Sequence, residues 1–278
     1  MTEIVMFPGQ GSQKVGMGAE LFDRFADLTA QADEVLGYSI KELCTEDPNG
    51  LINNTQYTQP ALYTVNAFTF LAKQEDEGYA PDVAIGHSLG EYDALFAAGA
   101  FDFITGLKMV KVRGELMSKA TGGGMAAIIG MDGDAVTKLL ADLSLDSIDL
   151  ANLNAPNQTV ISGIKEDIVK AEPLIKDAGA KRCVVLPVSG AFHSRYMKEA
   201  ADKFYNEIKD LPFNDLKIPV IANSTAAAYE NGKVAETLTA QVFSSVRWVE
   251  TISQLKGDDV NFMECGPGRV LAGLLRYI

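Results

Sequence analysis

Residues 84–92, Ala-Ile-Gly-His-Ser-Leu-Gly-Glu-Tyr, hold the turn from which the architecture can be read. The short apolar run Val83-Ala84-Ile85 ends at Gly86, and a helix-like segment follows Gly90, with Ser88 at the bend. A strand turning sharply into a helix belongs to α/β proteins. Gly86-His87-Ser88-Leu89-Gly90 also fits G-x-S-x-G, the nucleophile elbow. Glycines flank the serine because a strained turn brings backbone segments close together, and the strain exposes the hydroxyl above the sheet. The helix behind it aims its N-terminal N–H groups and dipole at the serine. The backbone N–H of Leu89 is then the natural first donor to an oxyanion. The bland alternative is a glycine-rich turn with a solvated serine.

Outward from this turn, strand-like and helix-like patterns alternate, which predicts a largely parallel sheet. A first strand, "EIVMF", breaks at Pro8-Gly9, and helical spacing follows through Leu21, Phe25, Leu28 and Ala32. A long helix is expected over about 60–77, with Pro60 in its first turn. Further helices are expected over about 88–98 and 102–119, then a late strand "VNFMEC", a "GPG" turn and a closing helix "RVLAGLLRYI". The middle reads β-α-β-β-α-β: "MAAIIG", a helix over 133–142, "SIDLAN", "QTVISG", a helix over 166–178, and "RCVVLPV". That order is the split-βαβ, ferredoxin-like arrangement. It predicts a small domain at 122–190 inserted into a discontinuous large domain, 1–121 with 191–278, the glycine run at 122–124 forming one crossing. The alternative is that these strands extend the main sheet.

Lys and Arg number 24 against 37 Asp and Glu, a net charge of −13. Such a balance argues against non-specific binding to nucleic acid or anionic membrane. No run is apolar enough for a membrane span, and "MTEIVMFPG" lacks the layout of a signal peptide. Cys44, Cys183 and Cys265 are scattered without metal-ligand spacing and read as reduced, buried thiols, Cys183 as strand packing. A cytoplasmic protein is expected. "GQGSQKVG" lacks the full G-x-G-x-x-G pattern and its βαβ setting, so no dinucleotide site is assigned.

A serine hydroxyl needs a base near neutral pH, and the chain holds only two histidines. His87 precedes Ser88 in the elbow and should point away from the nucleophile. His193, in the loop "PVSGAFHSRYM", can reach across, as the base of a triad does on unrelated folds. For the third, orienting group, Asp202, Asp215, Glu250 and Glu264 all remain open.

Several separated motifs occur in order: "FPGQGSQ" (7–13), "GHSLGEY" (86–92), "VRGELM" (112–117), "AFHS" (191–194), "QVFSSVRW" (241–248) and "ECGPGRVLAGL" (264–274). Together they make the chain resemble, over essentially its whole length, the malonyl-CoA:acyl carrier protein transacylases of fatty acid and polyketide synthesis. The resemblance implies an α/β-hydrolase-like core with an inserted ferredoxin-like domain. It implies Ser88 as the nucleophile that takes the malonyl group and His193 as its base. The N–H groups of Gln10 and Leu89 become the oxyanion hole, and Arg113 the partner of the malonyl carboxylate, whose two oxygens a guanidinium can grip bidentately. The main-chain carbonyl of Gln241 orients the histidine in place of an acid. Phe192 before His193 is the residue that malonyl-selecting members tend to carry. "PVIANSTAAAYENG" departs from the family's pattern, which puts the pocket wall near 222–232 in doubt.

The implied function is ping-pong malonyl transfer from malonyl-CoA to the phosphopantetheine thiol of acyl carrier protein for fatty acid biosynthesis. No metal or redox cofactor is required, and a monomer is expected. Alternatives are a trans-acting malonyl acyltransferase of a polyketide synthase, an acyl-thioester hydrolase using the same Ser-His pair, or a non-catalytic carrier-binding module. An acidic carrier needs a local positive patch, for which Lys181-Arg182 and Arg195 with Lys198 are candidates.

Overall fold

The computed structural model describes all 278 residues. In chain order the elements begin with β1 (Thr2–Phe7), α1 (Leu21–Arg24), α2 (Ala26–Leu36), α3 (Ile40–Thr45), α4 (Thr55–Glu77) and β2 (Val83–Gly86). After the elbow come α5 (Gly90–Ala97) and α6 (Phe103–Ser118). The middle holds β3 (Gly123–Ile129), α7 (Gly133–Asp142), β4 (Ile148–Ala155), β5 (Gln158–Ile164), α8 (Lys165–Asp177) and β6 (Arg182–Val185). The chain closes with α9 (Lys198–Ile208), β7 (Val220–Ile221), α10 (Val234–Phe243), α11 (Trp248–Leu255), β8 (Val260–Glu264) and α12 (Val270–Leu274).

Two sheets form. β7-β2-β1-β8 is parallel throughout, with Phe7 of β1 opposite Gly86 of β2. Both of its faces are covered, as parallel sheets require. Val5 and Phe7 point into the main core with Leu62, Phe68 and Leu95, whereas Ile4 and Met6 pack with Trp248, Ile252 and Leu271. The second sheet, β4-β5-β3-β6, is antiparallel, the strand order of a ferredoxin-like unit. The middle strands therefore do not extend the main sheet. Ala126, Ile128 and Ile161 face α7 and α8 and bury a separate small core. The opposite face, through Met125, Ala151 and Val160, packs onto the main core.

Local rules decide the differences from the sequence expectation. The long helix starts at Thr55, because the Asn54 side chain caps it by accepting from Gln56 N–H at 3.2 Å. Pro60 consequently sits beyond the first turn. The closing helix is short, Val270–Leu274 followed by a 3₁₀ turn over Leu275–Tyr277. Glu264 seats its start, accepting from the N–H groups of Leu271 and Ala272 at 3.0 and 2.9 Å. All three cysteines are buried and unpaired. Burial pushes the Cys183 thiol up to about 11 and that of Cys265 to about 12, so neither supplies a thiolate near neutrality. No helix is long and apolar enough to cross a membrane.

The elbow sits where β2 passes into α5. A Cβ on Gly86 would lie 2.0 Å from the carbonyl of Gly90, and one on Gly90 would lie 2.0 Å from Phe7 O. Both glycines are therefore fixed by contact with backbone, which cannot yield as a side chain could. Gly90→Ala is expected to cost about 1–3 kcal/mol by overpacking, lowering the unfolding midpoint by roughly 2–10 °C in a circular-dichroism melt. An unchanged midpoint would contradict this packing.

Candidate active site

Ser88 adopts φ +51°, a left-handed conformation that strains a residue bearing a side chain. The bend turns its Oγ to His193 Nε2, 2.7 Å away. His193, itself at φ +57° in the loop after β6, is buried. Its Nδ1 faces two carbonyls, Gln241 O at 3.0 Å and Ser244 O at 3.2 Å. A carbonyl only accepts, so Nδ1 carries the proton and donates, leaving the Nε2 lone pair to accept from the Ser88 hydroxyl.

The helix end explains why no acid is needed here. Gln241 lies in the last turn of α10, where its carbonyl accepts only a long 3.4 Å bond from Ser244 N–H and carries the negative end of the helix dipole. These groups hold the ring and favour the imidazolium that would form as it takes a proton. The Ser244 carbonyl is fixed in turn by β4. Val246 N–H donates to Ala151 O at 2.8 Å, Leu153 N–H donates to Val246 O at 2.9 Å, and Ser245 Oγ donates to Leu150 O at 2.5 Å. The four acids left open by the sequence serve elsewhere or stand apart. Asp202 pairs with Lys198, Glu250 with Arg247, Glu264 caps α12, and Asp215 is exposed.

His87 turns to other work: its Nε2 lies 2.8 Å from Asn154 Oδ1 and its ring meets Trp248 edge-on at 5.5 Å. The Pro8-Gly9 turn presses on the elbow so closely that a Cβ on Gly9 would lie 2.3 Å from His87 O and 3.6 Å from Leu89 N. That contact brings Gln10 beside Leu89 at the cavity, and neither backbone N–H has an acceptor within the protein. Asn66 anchors the turn from below, Nδ2 donating to Pro8 O at 3.0 Å.

Arg113 projects from α6 and is 1% exposed. Its hydrogen-bond partners are all uncharged: NH1 donates to Gln59 Oε1 at 2.8 Å, and NH2 donates to Gln241 Oε1 at 2.9 Å and Ser88 Oγ at 3.2 Å. Its Nε–H has no acceptor, and the Tyr92 ring lies 5.4 Å from the guanidinium carbon. Ser88, His193, Arg113, Leu89 and Gln10 line one cavity of about 110 Å³. Met125, Leu186 and Val188 from the small sheet's segment, together with Phe192, give it an apolar wall.

The structure thus gathers Ser88, His193, Arg113, Gln10, Leu89 and Gln241 in one place. Sequence reasoning missed Gln59, Tyr92, Glu91, Asn223 and the second use of Gln241, whose side chain grips Arg113 while its Nε2 donates to Ser88 O at 2.6 Å. Only Glu91 and Tyr92 had a local signal, in the motif "GHSLGEY". The doubted segment 222–232 does not line the cavity. Asn223 and Tyr229 lie beneath the elbow with Glu91, whose carboxyl burial pushes up to about 7 although Tyr229 O–H and Asn223 N–H both donate to it.

With this geometry in view, the chain matches the acyl transferase domain family over residues 4–271 and belongs to it. It is 52% identical to a polyketide biosynthesis malonyl CoA-acyl carrier protein transacylase of Bacillus velezensis, covering 98% of this chain and 95% of the relative. It is 42% identical to a malonyl CoA-acyl carrier protein transacylase of Synechocystis, covering 98% and 92%. A crystal structure of a malonyl CoA-acyl carrier protein transacylase from Burkholderia pseudomallei superposes with a TM-score of 0.97 at 49% identity, covering 100% of this chain and 97% of that one.

Burial, and then the Arg113 charge, lower the His193 pKa to about 3, against an ordinary value of about 6.5. The imidazole is therefore neutral, with its Nε2 lone pair free, at any pH well above 3. Labelling of Ser88 by an uncharged fluorophosphonate should show no histidine-like acid limb between about pH 5 and 7. Arg113→Gln removes the cation but not the burial, so the limb should move up while staying below about 6.5. A wild-type limb at about 6.5 would contradict the assignment.

Proposed function

We propose that the chain transfers a malonyl group from malonyl-CoA to the phosphopantetheine thiol of acyl carrier protein through an ester on Ser88. The observation that carries this reading is Arg113, a buried guanidinium beside the nucleophile whose partners are all neutral. A buried cation with no carboxylate in direct contact is costly, and a substrate carboxylate supplies that contact. A malonyl thioester has its carboxylate two carbons from the carbonyl that Ser88 would attack.

In the first half, Ser88 Oγ attacks the thioester carbonyl as its proton passes to His193 Nε2. The N–H groups of Leu89 and Gln10 hold the oxyanion. The C–S bond then breaks, and His193 returns the proton to the departing CoA thiolate. In the second half the carrier's thiol gives its proton to His193 and attacks the ester carbonyl. Collapse frees Ser88 Oγ, which recovers the proton. Arg113 exchanges its contact with Ser88 Oγ for the malonyl carboxylate, so binding substrate also releases the nucleophile. Every proton is accounted for by Ser88, His193 and the two thiols, so we assign no resident cofactor; malonyl-CoA is the substrate. One chain carries the whole site, so a monomer suffices. We place residues 122–190 as the small domain and 1–121 with 191–278 as the large one, in a cytoplasmic enzyme that binds neither nucleic acid nor membrane.

The transfer is common to fatty acid and polyketide biosynthesis. Carrier proteins of a polyketide synthase have specific support, because the 52% relative is named for polyketide biosynthesis, whereas the 42% relative's name specifies the transacylase alone. Intact-mass measurement after exposure to malonyl-CoA should show one malonyl adduct, absent in Ser88→Ala. The adduct should be discharged by holo carrier protein much faster than by water. Discharge to water at an equal rate would make the protein a thioester hydrolase.

Two of the four docking candidates carry their own counter-ions: Arg195 pairs with Asp149, and Lys198 with Asp202. The docking expectation narrows to Lys181 and Arg182. Reversing both charges should raise KM for carrier protein several-fold, with a weaker salt dependence and no change in KM for malonyl-CoA. Unchanged carrier kinetics would remove this patch from consideration.

A further inference from the structure

The strain at Ser88 has to be held by something, and the residues that hold it lie far away in sequence. We propose that Asn223, seated by Glu91 and Tyr229, is the positioning residue of the nucleophile. The inference rests on the reading of Ser88 as that nucleophile. The Asn223 side chain closes the elbow like a staple. Its Oδ1 accepts from Ser88 N–H at 2.7 Å, and its Nδ2 donates to Gly86 O at 2.7 Å. One amide thus ties together the peptide groups on both sides of His87, across the bend itself.

Asn223 is held as tightly as it holds. It is 2% exposed in the segment after β7. Its own N–H donates to Glu91 Oε2 at 2.8 Å, and its carbonyl accepts from Arg247 N–H at 2.9 Å. Glu91 is wholly buried on the first turn of α5, and its other oxygen accepts from Tyr229 O–H. The order of support is Tyr229 to Glu91 to Asn223 to the two peptide groups of the elbow. On the far side, Ser88 O accepts from Gln241 Nε2 at 2.6 Å. The Ser88 backbone is therefore gripped at its N–H by the segment after β7 and at its C=O by α10. A non-glycine residue at positive φ persists only where its surroundings over-determine it. These contacts supply that constraint, and none of them touches the substrate cavity.

A positioning role separates from substrate binding, because Arg113 grips the carboxylate from another element, α6. Asn223→Ala should lower kcat for malonyl transfer by about 10- to 100-fold, the scale of a misplaced reacting group. KM for malonyl-CoA should stay within about 3-fold. Labelling of Ser88 by an uncharged fluorophosphonate, which makes no use of Arg113, should slow by the same factor as kcat. Tyr229→Phe leaves the staple in place and removes only one support, so it should show the same pattern at a few-fold. That variant keeps the proposal testable where Asn223→Ala fails to fold. Folded variants that label at the wild-type rate, or that lose affinity for malonyl-CoA with kcat unchanged, would overturn the proposal. A wild-type protein that resists labelling at Ser88 would instead sink the nucleophile reading itself.

Discussion

A guanidinium sealed inside a protein with no carboxylate in direct ion-pair contact is the constraint around which the site is organised. Arg113 draws on three elements and the elbow: α6 carries it, Gln59 of α4 and Gln241 of α10 accept from it, and Ser88 takes its remaining contact. Leaving such a charge unpaired is expensive, several kcal/mol even after relaxation. Neutral amide oxygens and the Tyr92 ring lessen that cost but do not cancel the charge. What remains acts in two directions. It adds to burial in holding the neighbouring imidazole neutral, and it keeps the cavity receptive to an anion.

The two sheets divide the work around that charge. The parallel sheet and its helices fix the reacting groups: the elbow between β2 and α5, the Pro8-Gly9 turn behind β1, the carbonyls at the end of α10. The antiparallel unit contributes the apolar wall of the cavity, and its β4 braces the Ser244–Val246 segment against which His193 is set. A helix C-terminus does for the histidine what a carboxylate does in other triads. Its effect is weaker but needs no second buried charge next to Arg113.

The legibility of this site in the sequence follows from how local each signal is. The elbow was readable because close packing demands glycine at 86 and 90, and the shortage of histidines pointed to His193. The β-α-β-β-α-β order of the small unit was readable because its strands and helices are short and regularly spaced. Arg113 and Gln241 were different. On residues alone one is a helical charge and the other a helical amide, and only resemblance to a family gave them roles. Asn223 and Tyr229 escaped because their partners lie more than 130 residues away, at Ser88 and Glu91. The family-divergent segment around them put the pocket wall in doubt, yet it forms the floor of the elbow and does not line the cavity.

The most direct test is the ratio of kcat/KM for malonyl-CoA to that for acetyl-CoA, measured in the wild type and in Arg113→Ala. The two substrates differ by the carboxylate alone. Losing a buried guanidinium–carboxylate pair costs about 2–5 kcal/mol, so the ratio should fall by about 30-fold or more, mainly through loss of the malonyl reaction. A ratio that survives the substitution unchanged would contradict the claim that Arg113 selects the acyl group.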